Sequence, residues 1–288
     1  MYSAEINRTQ RACLLLLIDQ SYSMSEPWAG TGMSKADQLA LTVNKILGNA
    51  VLLCSKGDDR IFDYFEVGII GYGMDVGPVL HGTDLGTPLI PIGEVARNPK
   101  RMDQLTQKIS DGVGGFLEVQ TNKPVWVDPR FNGQTPMVKA FGTAAEIIDS
   151  WCRQNPRSFP PIVINITDGV SSDGEPTDVA WQIRETATED GNVLLFNVHV
   201  SGMPNPPAVM PNAPAGLPDA YAKMLFDISS ELPPQMLEAT AVAGYEVKPG
   251  ARGFVYNAEA HMVVDFLDIG TRAVTPTGLK ELTDGRES

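Results

Sequence analysis

The loop Asp19-Gln20-Ser21-Tyr22-Ser23 places one carboxylate and two hydroxyls at alternate positions, a spacing that can turn three oxygens toward one point. Hard oxygen donors of this kind suit Mg²⁺ or Mn²⁺, with water completing the coordination shell. Two further oxygen-bearing pieces lie far along the chain, Gly133-Gln134-Thr135-Pro136 and Thr167-Asp168-Gly169. Each stands where an apolar run stops or a helical pattern starts. Taken singly, each also has a plain structural reading. Ser21 and Ser23 are ordinary turn residues, Thr135 is a fair helix N-cap, and Asp168-Gly169 is a common strand-end turn.

Whether the three pieces meet depends on the elements between them. Cys13–Ile18 is a continuous apolar run, and similar runs recur at Phe65–Ile70, Ile162–Ile166 and Val193–Val200. Unbroken rather than alternating, they read as strands of a parallel sheet covered on both faces. Helical spacing lies between them. Ser34 is a candidate N-cap with Asp37 in the capping-box position, followed by Leu39, Val43, Ile46, Leu47, Ala50 and Val51 on one face. Pro136 suits a first helical position, with Phe141, Ala144, Ala145, Ile148, Trp151 and Cys152 as the buried stripe. A third helix is expected from about Pro176 to Asp190, stopped by Gly191. Leu217–Ser230, Gln235–Ala243 and Ala258–Gly270 also read as helices, Phe254–Tyr256 as a last strand, and Gly77–His81 as an antiparallel edge. The pattern predicts an α/β fold: a doubly wound, mostly parallel central sheet with one antiparallel edge strand and helices on both faces. In such sheets ligands bind beyond the carboxyl ends of the strands, which is where all three oxygen-bearing pieces would fall.

Some segments break the regularity. Residues 203–218 hold six prolines and predict a stiff surface loop. Residues 24–33 and 111–134 also read as long loops, the second rich in Gly, Pro, Asn and Asp. Residues 1–272 are expected to form a single domain, and 273–288, poor in apolar residues, a flexible tail.

The chain has 288 residues, with 35 acidic against 22 basic side chains and a net charge of −13. That balance argues against nucleic acid, whose phosphates call for clustered Lys and Arg. It fits either plain solubility or a bound cation. The run Leu14–Ile18 is far too short to span a bilayer, and no basic stretch with a cleavage site precedes it, so a cytoplasmic protein with no membrane association is expected. Cys13, Cys54 and Cys152 are scattered, as buried thiols in a reducing compartment would be, and His81, His199 and His261 make no zinc pattern. Gly71–Gly77 imitates a dinucleotide loop, but Gly77-Pro78 starts no helix to receive a phosphate. Asp168, Asp173, Glu175 and Asp178 lack the order of an EF-hand loop and read as an acidic rim. Trp28 and Trp126, both in expected loops, are either exposed binding anchors or folded-back core.

Asp19-x-Ser21-x-Ser23, Thr135 about 110 residues later, and Asp168-Gly169 after a buried strand resemble the metal-ion-dependent adhesion site of von Willebrand factor A-type domains. The resemblance spans roughly residues 10–272 in the order of strands and helices. It implies that Ser21, Ser23 and Thr135 give hydroxyl oxygens to Mg²⁺ or Mn²⁺, with Asp19 and Asp168 mostly behind bound waters. An Asp or Glu of a partner protein then completes the octahedron. The pattern departs from the commonest form at Tyr22, where many members have Gly, and that ring either lines the ligand surface or packs on a neighbouring loop. The chain looks similar to intracellular bacterial members associated with tellurium resistance and stress responses, which often act beside ATPases, kinases or phosphatases. The expected function is thus a non-enzymatic, metal-dependent interaction module or scaffold. Two rivals are a metal-assisted phosphoester hydrolase using Asp19 or Asp168, and a metal-free structural subunit.

Overall fold

Every residue of the strand Ala12–Asp19 (β1) is buried, and its side chains divide between two apolar cores. Ala12, Leu14, Leu16 and Ile18 face one core; Cys13, Leu15 and Leu17 face the other. This is why the run is unbroken: a strand covered on both sides has no polar face to alternate with. The structure, a computed structural model, describes residues 2–56, 60–110, 116–202, 206–259 and 261–266.

After β1 come a 3-10 turn (Tyr22–Ser25), α1 (Lys35–Leu53), a small hairpin of β2 (Ser55–Lys56) and β3 (Arg60–Ile61), β4 (Phe65–Tyr72), β5 (Val76–Pro78), β6 (Ile90–Pro91) and α2 (Ile92–Arg97). The chain continues through β7 (Arg101–Ser110), β8 (Phe116–Val125), α3 (Met137–Gln154), β9 (Ile162–Thr167), α4 (Thr177–Glu185), β10 (Ala187–Thr188), β11 (Gly191–Asn192) and β12 (Leu194–Val200). Then follow β13 (Ala208–Val209), α5 (Ala220–Ile228), α6 (Pro234–Val242) and β14 (Phe254–Ala258), with residues 261–266 helical.

The main sheet runs β13-β14-β12-β9-β1-β4-β5, and β6 also pairs with β4. Strands β14, β12, β9, β1 and β4 are parallel, while β5, β6 and β13 are antiparallel additions. β5 is the antiparallel edge foreseen near Gly77. Because β1 lies between β4 and β9, the connections on its two sides leave in opposite directions, and a crevice opens beyond Asp19 and Thr167. α1 and α2 cover one face of the sheet, and α3, α4 and α5 cover the other. Ser34 caps α1 as expected, its hydroxyl oxygen accepting the Asp37 amide at 3.1 Å. All three cysteines are buried free thiols. No helix among the described residues is long and apolar enough to cross a membrane.

Several expectations need correction. The third helix ends at Glu185, short of Asp190. Residues 187–192 turn back as the β10–β11 hairpin, where the Asp190 carboxylate receives the amides of Ser3 and Ala4 at 2.9 and 3.0 Å. This tertiary contact outweighs the helical pattern. Within 111–134, residues Phe116–Val125 are strand rather than loop, paired along their full length with Arg101–Ser110. Leu117, Val119 and Thr121 alternate with Glu118, Gln120 and Asn122, and this period of two prevails over the local Gly, Pro and Asn content. Pro124 is tolerated because β8 pairs on one side only. In 203–218, Ala208–Val209 form an edge strand against β14, the place in a sheet where neighbouring prolines do least harm. α5 begins at Ala220, capped by Asp219, rather than at Leu217. Residues 111–115, 203–205, the end of the expected last helix and the tail 273–288 lie outside the described residues.

Candidate metal centre

Asp19 ends β1 and Thr167 ends β9, so the two meet at the mouth of the crevice. Asp19 Oδ1 accepts the Ser21 amide at 2.8 Å, and Oδ2 accepts the Thr167 hydroxyl at 2.7 Å. The Ser21 and Ser23 hydroxyl oxygens stand 3.1 Å apart, and Ser23 donates to Asp168 Oδ1 at 2.7 Å. A β-carbon placed on Gly169 would lie 3.7 Å from Thr135 Oγ1 and 3.9 Å from Ser23 Oγ, which puts the Thr135 hydroxyl beside the same cluster. All five residues expected from the sequence therefore come to the same end of the sheet, with Asp19, Ser21, Ser23 and Asp168 joined by hydrogen bonds or close contact and Thr135 nearby. Asp19, Ser21 and Thr135 are buried, and the Asp168 side chain is fully enclosed.

Local structure explains how Thr135 is left available. The second and third amides of α3, those of Val138 and Lys139, bond to the Asp173 carboxylate at 3.0 and 2.9 Å. The Thr135 backbone is held by Ser172, its amide donating to the Ser172 hydroxyl and its carbonyl accepting the Ser172 amide. Asp173 thus does the capping that a bare sequence reading assigns to Thr135, and one member of the acidic rim acquires a structural role. The chain before Thr135 braces the Asp19 loop: the Asn132 amide donates to the Gln20 carbonyl and the Tyr22 amide to the Gly133 carbonyl. Gly133 has φ of 85°, and a β-carbon there would stand 2.4 Å from the Met74 nitrogen, so this approach requires glycine. The Tyr22 ring is 72% exposed and does not pack. Beyond β4 and β5, Gln20, Gly71, Asp75, Arg130 and Phe131 line a cavity of about 430 Å³.

Trp28 and Trp126 are folded-back core rather than exposed anchors. Trp28 Nε1 donates to the Ala258 carbonyl at 2.9 Å, and Trp126 Nε1 to the Val95 carbonyl at 2.6 Å. The Gly71–Gly77 stretch turns directly from β4 into antiparallel β5, with no helix for a nucleotide phosphate.

Electrostatics set the character of the site. Burial pushes the Asp19 carboxyl up to about 6, opposed by its hydrogen bonds from Ser21 and Thr167 and reinforced by the nearby charge of Asp168. Lys35, unremarked in the sequence, sends its ammonium into the cluster, 2.7 Å from Asp168 Oδ2 and 2.9 Å from Glu26 Oε2. Burial works to lower its pKa, but the bonds to Asp168 and Glu26 outweigh burial and the net shift is upward. His199 stacks on Tyr256 with ring centroids 4.5 Å apart, and burial lowers its pKa to about 4, so the imidazole is neutral at pH 7. The Tyr221 hydroxyl is buried and makes no well-formed hydrogen bond among the described residues; burial raises its pKa, the neighbouring Thr167 side chain opposes the rise, and the charges of Asp19 and Asp168 add to it.

The donor set fits a small hard cation. Cis ligands of an octahedron with bonds of 2.0–2.1 Å lie about 2.9 Å apart, close to the 3.1 Å between the serine oxygens. Ser23 can keep donating its proton to Asp168 while turning a lone pair to an ion. The buried Tyr221 hydroxyl, beside Thr167 and near both aspartates, has no well-formed hydrogen bond among the described residues and is free to bond a water of hydration. Among the described residues no three His, Cys, Asp or Glu side chains gather as an all-charged cage. Hydroxyls and two carboxylates make this a site of low charge.

No family model matches the chain, and no curated protein matches it in sequence. Solved structures show distant likenesses. The proximal thread matrix protein 1 of the mussel byssus is 15% identical over 79% of this chain and 43% of its own, with a TM-score of 0.42. The manganese-loaded TRAP protein of Plasmodium vivax is 14% identical over 90% of this chain and 72% of its own, with a TM-score of 0.40. The pilus adhesin SpaC of Lactobacillus rhamnosus GG is 11% identical over 94% of this chain, with a TM-score of 0.45, and this chain spans only 31% of its length.

Proposed function

We propose that the chain is a von Willebrand factor A-type interaction module that holds Mg²⁺ or Mn²⁺ and through it binds an acidic residue of a partner protein. Ser21, Ser23 and Thr135 are the direct ligands, and Asp19 and Asp168 orient the waters that complete the shell. The ion supplies an electrophilic position for a carboxylate. The single observation behind this reading is the meeting of three hydroxyls and two carboxylates from three separate segments at the crevice beside β1. Few negative charges from the protein leave the ion in need of an anionic ligand, which favours capture of a partner's Asp or Glu. The proposal extends to a non-enzymatic scaffold role in the cytoplasm beside an ATPase, kinase or phosphatase, in a bacterial stress-response or signalling complex. Neutral His199 is stacked and buried, and no other histidine belongs to the cluster, so a general base poised for hydrolysis is not part of the reading.

Calorimetric titration with Mn²⁺ and Mg²⁺ tests it. The protein should bind one ion, and the doubly substituted Asp19→Ala, Ser21→Ala protein should bind none while keeping its circular dichroism. Lack of binding by the unaltered protein at millimolar metal would overturn the proposal.

A further inference from the structure

Lys35 sits at the first position of α1, where a cation is disfavoured by the positive end of the helix dipole. Only 4% of the residue is exposed, its amide is held by the Glu26 carbonyl at 2.9 Å, and its ammonium reaches two carboxylates. Asp168 is the inner of the two, with its side chain fully enclosed, whereas the Glu26 side chain is 65% exposed and its charge is screened by water. A lysine this confined at an unfavourable helix position calls for a reason.

We propose that Lys35 is a built-in cation of the metal centre: bound to Asp168, its ammonium weakens the hold on a divalent ion and makes retention of that ion depend on an acidic ligand. The inference rests on the metal-dependent reading above and concerns how that site is tuned. The charge count carries it. Asp19 and Asp168 contribute two negative charges, and Lys35 returns one. A divalent ion added to this set leaves an excess positive charge, whereas without Lys35 the sum would be zero. In an enclosed site an uncompensated charge is costly, so the excess is relieved when a carboxylate arrives. Lys35 thereby couples two binding events: the ion is held loosely alone and firmly with its acidic partner. The ammonium also fixes the Asp168 carboxyl group in place before an ion is bound, through its 2.7 Å contact with Oδ2.

The test compares the unaltered protein with Lys35→Met, which removes the charge at similar length, and Lys35→Arg, which keeps it. Mn²⁺ affinity is measured by calorimetry with and without acetate as the carboxylate probe. Lys35→Met should bind Mn²⁺ about tenfold tighter or more, and its affinity should gain less from acetate. Lys35→Arg should behave as the unaltered protein does. Equal or weaker Mn²⁺ binding by Lys35→Met overturns this inference and leaves the metal reading standing, whereas no Mn²⁺ binding by either protein overturns both. Should Lys35→Met be unfolded without metal, its circular dichroism is followed through the Mn²⁺ titration. Recovery supports the proposal, since the ion then replaces the lost positive charge, and failure to recover at saturating Mn²⁺ overturns it.

Discussion

Asp19 should destabilise the metal-free protein at neutral pH, and the size of the effect follows from its surroundings. The side chain is 1% exposed, and burial raises its pKa from 3.8 to about 6. The shift, about 2 units at about 1.36 kcal/mol each, amounts to about 3 kcal/mol. Its sign is set by proton binding. The folded protein protonates Asp19 more readily than the unfolded chain does, so this contribution to stability is intact below about pH 4 and is lost as the pH rises through about 6. Asp19→Asn removes the charge while keeping the shape. Its Oδ1 can accept the Ser21 amide and its Nδ2 can donate to Thr167 Oγ1, whose own proton turns to the Gly169 carbonyl at 3.2 Å. Urea denaturation in EDTA should therefore find Asp19→Asn more stable than the unaltered protein at pH 7.5 by up to about 3 kcal/mol, with the gap closing toward pH 4. With saturating Mg²⁺ the order should reverse, because only the aspartate form gains binding energy. A destabilised Asn variant at pH 7.5 in EDTA, or a gap that does not change with pH, would show that burial does not penalise the Asp19 charge.

Two further outcomes follow from the scaffold. Asp173→Ala strips the carboxylate from the second and third amides of α3, which should cost about 1–2 kcal/mol in chemical denaturation. A variant as stable as the original would mean that another group caps the helix. Gly133→Ala forces a β-carbon against the Met74 backbone at a φ of 85°, so Tm should fall and Mn²⁺ affinity should weaken as the Asp19 loop loses its brace. An unchanged Tm would show that the loop yields freely.

The sheet was legible because its strands are covered on both faces. Unbroken runs such as Leu14–Ile18 and Ile162–Ile166 have few alternatives, and the crevice follows from their order. The five oxygen-bearing residues were legible for the same reason, since each lies within a residue or two of a strand end or a helix start. Lys35 and Tyr221 were not. A lysine next to an N-cap and a tyrosine at the start of a helix are usual on surfaces, and only the packing of α1 and α5 over the strand ends turns them inward. Asp173 was read as rim because capping from 34 and 35 residues away is a tertiary event. The β7–β8 hairpin did leave a signal, the alternation from Leu117 to Asn122, which the surrounding Gly and Pro content concealed.

The loop carrying Trp28 gives the centre a direction. Its indole bonds to Ala258 at the end of β14, and the Ala29 amide donates to the Ser201 carbonyl just past β12. β14 is three strands from β1, so the chain that leaves Asp19 crosses the ends of β9 and β12 before returning to α1. That half of the sheet's rim is roofed. On the other half, Met74 and Phe131 stand exposed at the cavity beyond β4 and β5. A partner approaching from the β4–β5 side would meet the Met74 thioether and the Phe131 ring together with the charged Asp75 and Arg130, so apolar contact and charge would be read side by side before an ion is reached.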